Sequence, residues 1–267
     1  MAGGALDPLV HPDPYRPPAL CRFVLALARW LVRRLFRFRV TGLEHVPTPP
    51  FVIASNHQAW FDTVFILAAF PDRPMIYTMA RRDTVFNRRW KRWLMPRFGV
   101  FPITPSGGEL DGRGVATVYQ VLSRGGVVLI FPEGRYSRGR RLRPLKKGIA
   151  HFALQAGVPI CPVALSGLDR LRPFGRVEVT IGPPIRPDPP GWWTFNRRVE
   201  ELVERVRRAI VRARSGQGRR PTPWRARLRG LTRPVRRLRA RALPPGADPA
   251  GADRAVNSED DNPESGP

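Results

Sequence analysis

Between Phe51 and Phe70 the hydrophobic pattern changes its period, and no other stretch of the chain restricts the fold as much. Phe51-Val52-Ile53-Ala54 is a short continuous apolar run of the kind that forms a buried strand, and Thr63 to Phe70 reads as an apolar helix. The connection is Ser55-Asn56-His57-Gln58-Ala59-Trp60-Phe61-Asp62. A five-residue separation puts two side chains about 140° apart on a helix and on opposite faces of a strand. His57 and Asp62 therefore meet only across a turn. A strand-to-helix turn predicts His57 in the loop and Asp62 near the helix N-terminus, where a carboxylate accepts the imidazole N–H and orients the ring.

Further short apolar runs bounded by Gly or Pro predict strands at Met75–Met79, Gly99–Ile103, Val127–Phe131, Ile160–Leu165 and Val177–Ile181. Helices are expected between them, at Thr84–Leu94, Gly114–Ser123, Gly148–Ala156 and Trp193–Arg214. This alternation predicts a single-domain α/β sandwich, a mixed and mostly buried sheet flanked by helices. At 267 residues and 42% hydrophobic composition the chain can bury such a core. The expected organisation is a flexible N-terminus over 1–18, an interfacial helix over 19–40, the folded domain over 41–214, a basic segment over 215–243 and a disordered tail over 244–267.

The formal net charge of +25 points to an anionic partner such as a phospholipid surface or nucleic acid. Lys91, Lys146 and Lys147 are the only lysines, and the surplus of Arg, Ala, Gly and Pro also fits a GC-rich coding sequence. Cys21 and Cys161 are too few and too far apart for a disulfide framework, which fits a reducing setting. Residues 1–18 contain five prolines and no apolar run of the secretory type.

Leu20 to Val40 is apolar but interrupted by six arginines, so it lacks the uninterrupted span of about 20 apolar residues that crosses a bilayer. We read it as an interfacial helix with Phe23, Leu27, Trp30, Leu31, Leu35 and Phe38 immersed and the arginines reaching phosphates, against an ordinary amphipathic helix packed on the domain. Arg81, Arg82, Arg88, Arg89, Lys91 and Arg92, interleaved with Phe86, Trp90 and Trp93, suit a phospholipid surface or an acyl carrier, or equally a solvated helix face. Residues 219–241 are again dense in arginine.

A second strand end carries chemistry. Val127 to Phe131 delivers Pro132-Glu133-Gly134-Arg135-Tyr136-Ser137-Arg138, in the position where open α/β sheets hold ligands. Glu133 offers an acceptor for a hydroxyl, Arg135 a fork of donors for an oxyanion, and Gly134 close backbone approach. By itself this is also what a surface Glu–Arg turn looks like.

Taken in order, the motifs resemble the glycerophospholipid acyltransferase superfamily, of the 1-acyl-sn-glycerol-3-phosphate acyltransferase type. Asn56 to Asp62 matches its N-H-x4-D motif, Phe131-Pro132-Glu133-Gly134 the core of F-P-E-G-T-R-S, and Val158 to Ala164 its V-P-[IV]-x-P-V block. Gly99 to Ile103 resembles the block between them, and the likeness covers roughly residues 20 to 210. Two departures stand out. Arg135 and Tyr136 replace the Thr-Arg that follows the Gly, and Thr104 stands where a basic residue is common.

The resemblance implies His57 as general base with Asp62 as its orienter, Glu133, Gly134 and Arg135 as acceptor-binding residues, and transfer of an acyl group from acyl-CoA or acyl-carrier protein to a lysophospholipid. No metal is expected, because His11, His45 and His151 lack a ligand-like spacing, and no cofactor is expected. The implied setting would be the cytoplasmic face of the cell membrane, with an anionic membrane surface as partner and no nucleic acid. Other lysolipid acceptors, or a non-catalytic basic module binding membrane or nucleic acid, are the alternatives. A metal hydrolase would need further carboxylates near His57, the nearest in sequence being Asp72 and Asp83. His151 reads as a helix-face or core histidine.

Overall fold

Seven strands form one sheet in the order β1-β9-β8-β2-β7-β3-β4, and the reason for that sheet lies in its mostly apolar, buried central strands. The computed structural model describes residues 13–106, 109–137, 142–169, 171–188 and 195–216. The strands are β1 Arg37–Thr41, β2 Phe51–Ser55, β3 Ile76–Arg81, β4 Val100–Ile103, β7 Val127–Ile130, β8 Ile160–Ser166 and β9 Arg176–Ile181, while β5 Pro105–Ser106 and β6 Glu109–Leu110 pair apart from them. All neighbours in the large sheet are parallel except β8 and β9.

Every residue of β2 and β7 is buried. Alternation sorts them onto two layers: Val52, Ala54, Val128 and Ile130 face one core, and Phe51, Ile53, Val127 and Leu129 face the other. Helices α5 (Gly112–Ser123), α6 (Gly148–Ala156) and α7 (Phe195–Ser215) close the first core, through Val118, Phe152 and Val206 among others. The second is closed by α2 (Asp62–Ala69), through Phe65 and Ile66, and by Val32 of α1 (Ala19–Leu35). The fold is the expected α/β sandwich.

The helix expected over 19–40 ends at Leu35, and Arg37–Thr41 is instead the edge strand β1, parallel to β9. Phe38 is correspondingly half-buried on the second core, near Phe65, rather than immersed. Nor does Arg29 reach outward. Its guanidinium donates to the carbonyls of Leu67 and Phe70 and lies 3.9 Å from Asp72, so it caps the C-terminus of α2. The helix expected over 84–94 is broken into α3 (Arg82–Val85) and α4 (Arg89–Leu94), with Phe86 buried between them. Trp90 and Trp93 of α4 are exposed, and the Arg97 guanidinium lies 3.7 Å from the Trp93 ring centre. The basic segment and tail beyond residue 216 lie outside the described residues.

His151 packs near the Phe195 ring, as a structural residue. Burial, and then the Lys147 charge, hold its pKa below the ordinary 6.5. The unfolded chain therefore takes up this proton first as pH falls. Its contribution to stability is constant above 6.5 and erodes as pH drops through that value toward the folded one. His151→Gln is expected to narrow the difference in Tm between about pH 8 and about pH 5. Arg29→Ala strips two carbonyls of their donor and is expected to cost about 1–3 kcal/mol, read by urea denaturation.

Candidate active site

The register of the central strands brings the two motifs together. β2 and β7 run parallel with Ala54 opposite Ile130, so residues three positions further on, His57 and Glu133, emerge side by side at the C-terminal edge of the sheet. The His57 backbone N–H donates to Glu133 Oε1 at 2.8 Å. Ser137 closes the other side of the same residue, its N–H and its hydroxyl donating to the His57 carbonyl at 2.7 and 3.0 Å.

The histidine loop turns as its spacing predicts. Asp62 is the first residue of α2, fully buried, and its Oδ2 accepts from His57 Nδ1 (2.8 Å) and from the backbone N–H groups of Gln58 and Ala59. A carboxylate at a helix N-terminus is favoured by the dipole and by the unpaired amides there. Asp62 Oδ1 is buried and has no hydrogen-bond partner among the described residues. Asn56 ties the loop to β8, its amide donating to the Leu165 carbonyl and its carbonyl accepting from the Leu165 N–H. Gln58 Oε1 accepts from the Leu168 N–H.

With Nδ1 committed to an ionised acceptor, the proton of neutral His57 sits on Nδ1 and the lone pair on Nε2. The ring lies flat on Phe131, with centroids 3.9 Å apart, and meets the edge of Tyr136 at 4.4 Å. Those contacts restrict its rotation and leave the side chain 16% exposed. Tyr136, one of the residues that depart from the expected motif, thus lies against the imidazole. Burial, and then the Asp62 charge, raise the Tyr136 phenol above its ordinary pKa.

Glu133 does not face outward as an acceptor for a substrate hydroxyl. It is buried, with Oε1 on the His57 N–H and Oε2 on the Arg143 N–H at 2.8 Å, so its carboxylate braces three loop segments. Gly134 has φ +67°, which favours glycine, while a Cβ there would meet only the mobile end of the Lys146 side chain, which can move aside. Arg135 is exposed. Arg143 and Lys146, tied to this turn by their backbone N–H groups on Glu133 and Pro132, add two further exposed cations that sequence reasoning did not single out. A signal was present: two of the chain's three lysines are adjacent at 146 and 147. Arg138 lies outside the described residues.

The carboxylates a metal hydrolase would need are occupied elsewhere, Asp72 beside Arg29 at the far end of α2 and Asp83 paired with Arg81. Among the described residues no group of three or more His, Cys, Asp or Glu side chains gathers as metal ligands do.

The Acyltransferase family model matches residues 37–166, which contain both strand ends. A 1-acyl-sn-glycerol-3-phosphate acyltransferase of Brassica napus is 29% identical over 52% of this chain and 40% of its own length. The enzyme of that name from Pseudomonas aeruginosa is 28% identical over 70% of this chain and 71% of its own. A lyso-ornithine lipid O-acyltransferase of the same organism is 33% identical over 52% and 53%. The chain spans about half the length of several curated relatives it matches. In three dimensions the 1-acyl-sn-glycerophosphate acyltransferase PlsC of Thermotoga maritima shares the fold, with a TM-score of 0.56 and 22% identity over 76% of this chain and 83% of that one.

Glu133→Ala would remove the acceptor of the part-buried amides of His57 and Arg143, and is expected to destabilise the protein by about 1–3 kcal/mol. His57→Ala removes a partly exposed ring and is expected to shift stability far less. Urea denaturation of the two variants checks that Glu133, rather than the His57 ring, holds the loops together.

Proposed function

We propose that this chain, whose residues 37–166 match the Acyltransferase family model, moves a fatty acyl group from an acyl thioester to the free hydroxyl of a lysophospholipid. The observation that carries the reading is the His57 Nδ1–Asp62 Oδ2 bond at the strand end, which leaves Nε2 as a base beside a turn rich in cations.

His57 Nε2 takes the hydroxyl proton as that oxygen attacks the thioester carbonyl, and Asp62 stabilises the imidazolium that forms. Collapse of the tetrahedral intermediate expels the thiolate, which takes the proton back from His57. The histidine ends the cycle neutral, with no covalent acyl-enzyme. The donor is acyl-CoA or acyl-carrier protein, and no cofactor is required.

The acceptor is lysophosphatidate, with phosphatidate as product. Arg135, Arg143 and Lys146, exposed on and beside the Gly134 turn, suit a phosphate monoester. In this arrangement Glu133 acts through the loops it holds rather than by touching the acceptor. The relative named for lyso-ornithine lipid favours a second acceptor class, an amino-acid lipid without phosphate, and substitution of the three cations discriminates between them.

No described helix is long and apolar enough to cross a membrane. Leu20, Phe23, Leu27, Trp30, Leu31 and Leu35 nevertheless form an exposed stripe on α1, and we assign that stripe to peripheral contact with the cytoplasmic face of the cell membrane.

His57→Ala is expected to lower acyl transfer by about 10²–10⁴-fold with the fold intact, and Asp62→Asn to fall in the same range. Product mass spectrometry after incubation with acyl-CoA and a mixed lysolipid pool checks activity and acceptor together. An unchanged rate in His57→Ala, or no turnover of any donor, would sink the reading. Arg135→Ala and Lys146→Ala are expected to raise KM for lysophosphatidate more than they lower kcat.

A further inference from the structure

The catalytic edge of the sheet bears apolar surface that the transfer step does not use. β8 runs parallel to β2, with Val163 opposite Ser55. β9 pairs antiparallel to β8, with Glu178 opposite Ser166, and β1 runs parallel to β9 from Arg37 opposite Arg176. Both β1 and β9 therefore begin at the end of the sheet where His57 sits. The C-terminus of α1 and the turn preceding β9 are brought to that end with them.

There the Phe174 N–H donates to the Leu35 carbonyl at 2.6 Å, joining the turn to the helix end. Phe174 is the one non-glycine among the described residues with positive φ, at 60°, a conformation that a bulky side chain adopts at a cost. Its ring is 61% exposed. A ring held in a costly backbone state and left in water contributes little to folding.

A second exposed ring belongs to the same assembly. Trp60, 77% exposed and lying in the loop between His57 and Asp62, meets Phe61 edge-on at 5.4 Å. Phe61 lies 6.2 Å from Phe65, and Phe65 meets Phe36 edge-on at 5.5 Å. Phe36 follows Leu35, whose carbonyl holds Phe174. The aromatic chain Trp60–Phe61–Phe65–Phe36 thus joins the histidine loop to the end of α1, and the backbone bond from Phe174 to Leu35 joins the 172–175 turn to the same helix end, leaving Trp60, Leu35 and Phe174 as the exposed apolar side chains.

We propose that Trp60, Leu35 and Phe174 form an insertion rim that enters the hydrocarbon of an anionic phospholipid bilayer and turns the catalytic edge of the sheet toward the membrane. Arg34, Arg37 and Arg172, exposed and adjacent in sequence to the rim, stand at headgroup level, where interfacial rings and cations are both favoured. A lysolipid then reaches His57 Nε2 without leaving the bilayer. The proposal rests on the lysophospholipid reading for its purpose, but not for its measurement.

The test is co-sedimentation of the full chain with mixed phosphatidylcholine–phosphatidylglycerol vesicles, comparing wild type with Phe174→Asn. Asparagine tolerates the left-handed backbone, so the turn is kept while the ring is removed. Partitioning is expected to fall about tenfold, the loss that follows withdrawing one aromatic ring from hydrocarbon, and Phe174→Trp is expected to restore it. Turnover of vesicle-embedded lysophosphatidate should fall in parallel, whereas turnover of a short-chain, monomeric acceptor should not. Equal partitioning of wild type and Phe174→Asn overturns the proposal. So does a change in self-association without lipid that accounts for the whole effect, since the surface would then pair with another copy of the chain. A partitioning difference without any acyl transfer would instead retain the rim and overturn the enzymatic reading.

Discussion

Parallel pairing of β2 with β7 is the constraint on which the rest of the site depends. Two strands buried on both faces can pair only in a register that keeps each apolar side chain in its own layer, because a one-residue slip would exchange the two cores. That register sets Ala54 level with Ile130 and so sets the histidine loop beside the Glu133 turn. The Glu133 carboxylate then fastens what the strands have aligned, taking the His57 amide on one oxygen and the Arg143 amide on the other. Removing the strands from register would remove the brace's partners as well.

A loop at the end of a buried sheet cannot rely on water to satisfy its backbone, and each buried polar side chain here answers that need. Asp62 serves two loop amides besides the imidazole, Asn56 serves both backbone groups of Leu165, and Gln58 serves Leu168. The same atoms that make the loop affordable also aim the imidazole. Because Oδ2 of Asp62 holds two backbone amides within three residues of His57, it is held in place for Nδ1, and Nε2 is the ring nitrogen left outside that network.

Much of the layout was legible from periodicity. The six predicted strands appear with ends shifted by two residues or fewer; the central β2 and β7, buried on both faces, read as unbroken apolar runs, whereas β9 alternates apolar with polar residues. β1 was not legible in the same way. Arg37-Phe38-Arg39-Val40 alternates as an edge strand should, but it continues the amphipathic pattern of α1, and only pairing with β9 decides where the helix stops. The broken helix around Phe86 has a similar cause, since burial of that ring interrupts a segment whose arginines and tryptophans all read as one helix face.

Within the site, the pairing of His57 with Asp62 is local, because a five-residue spacing across a strand-to-helix junction has one way to bring the side chains together. The place of Glu133 and Gly134 at a strand end is local too. What those residues touch there is set by long-range packing. Whether Glu133 meets a substrate or a backbone amide depends on which strand lies beside β7, and that is a long-range choice no local pattern encodes. The positions of Arg143 and Lys146 at the Glu133–Gly134 turn, of Tyr136 against the His57 ring, and of Leu35 and Phe174 at the same edge of the sheet follow from the same cause. Strand order and register bring distant segments together, and hydrogen bonds between their backbones hold them there.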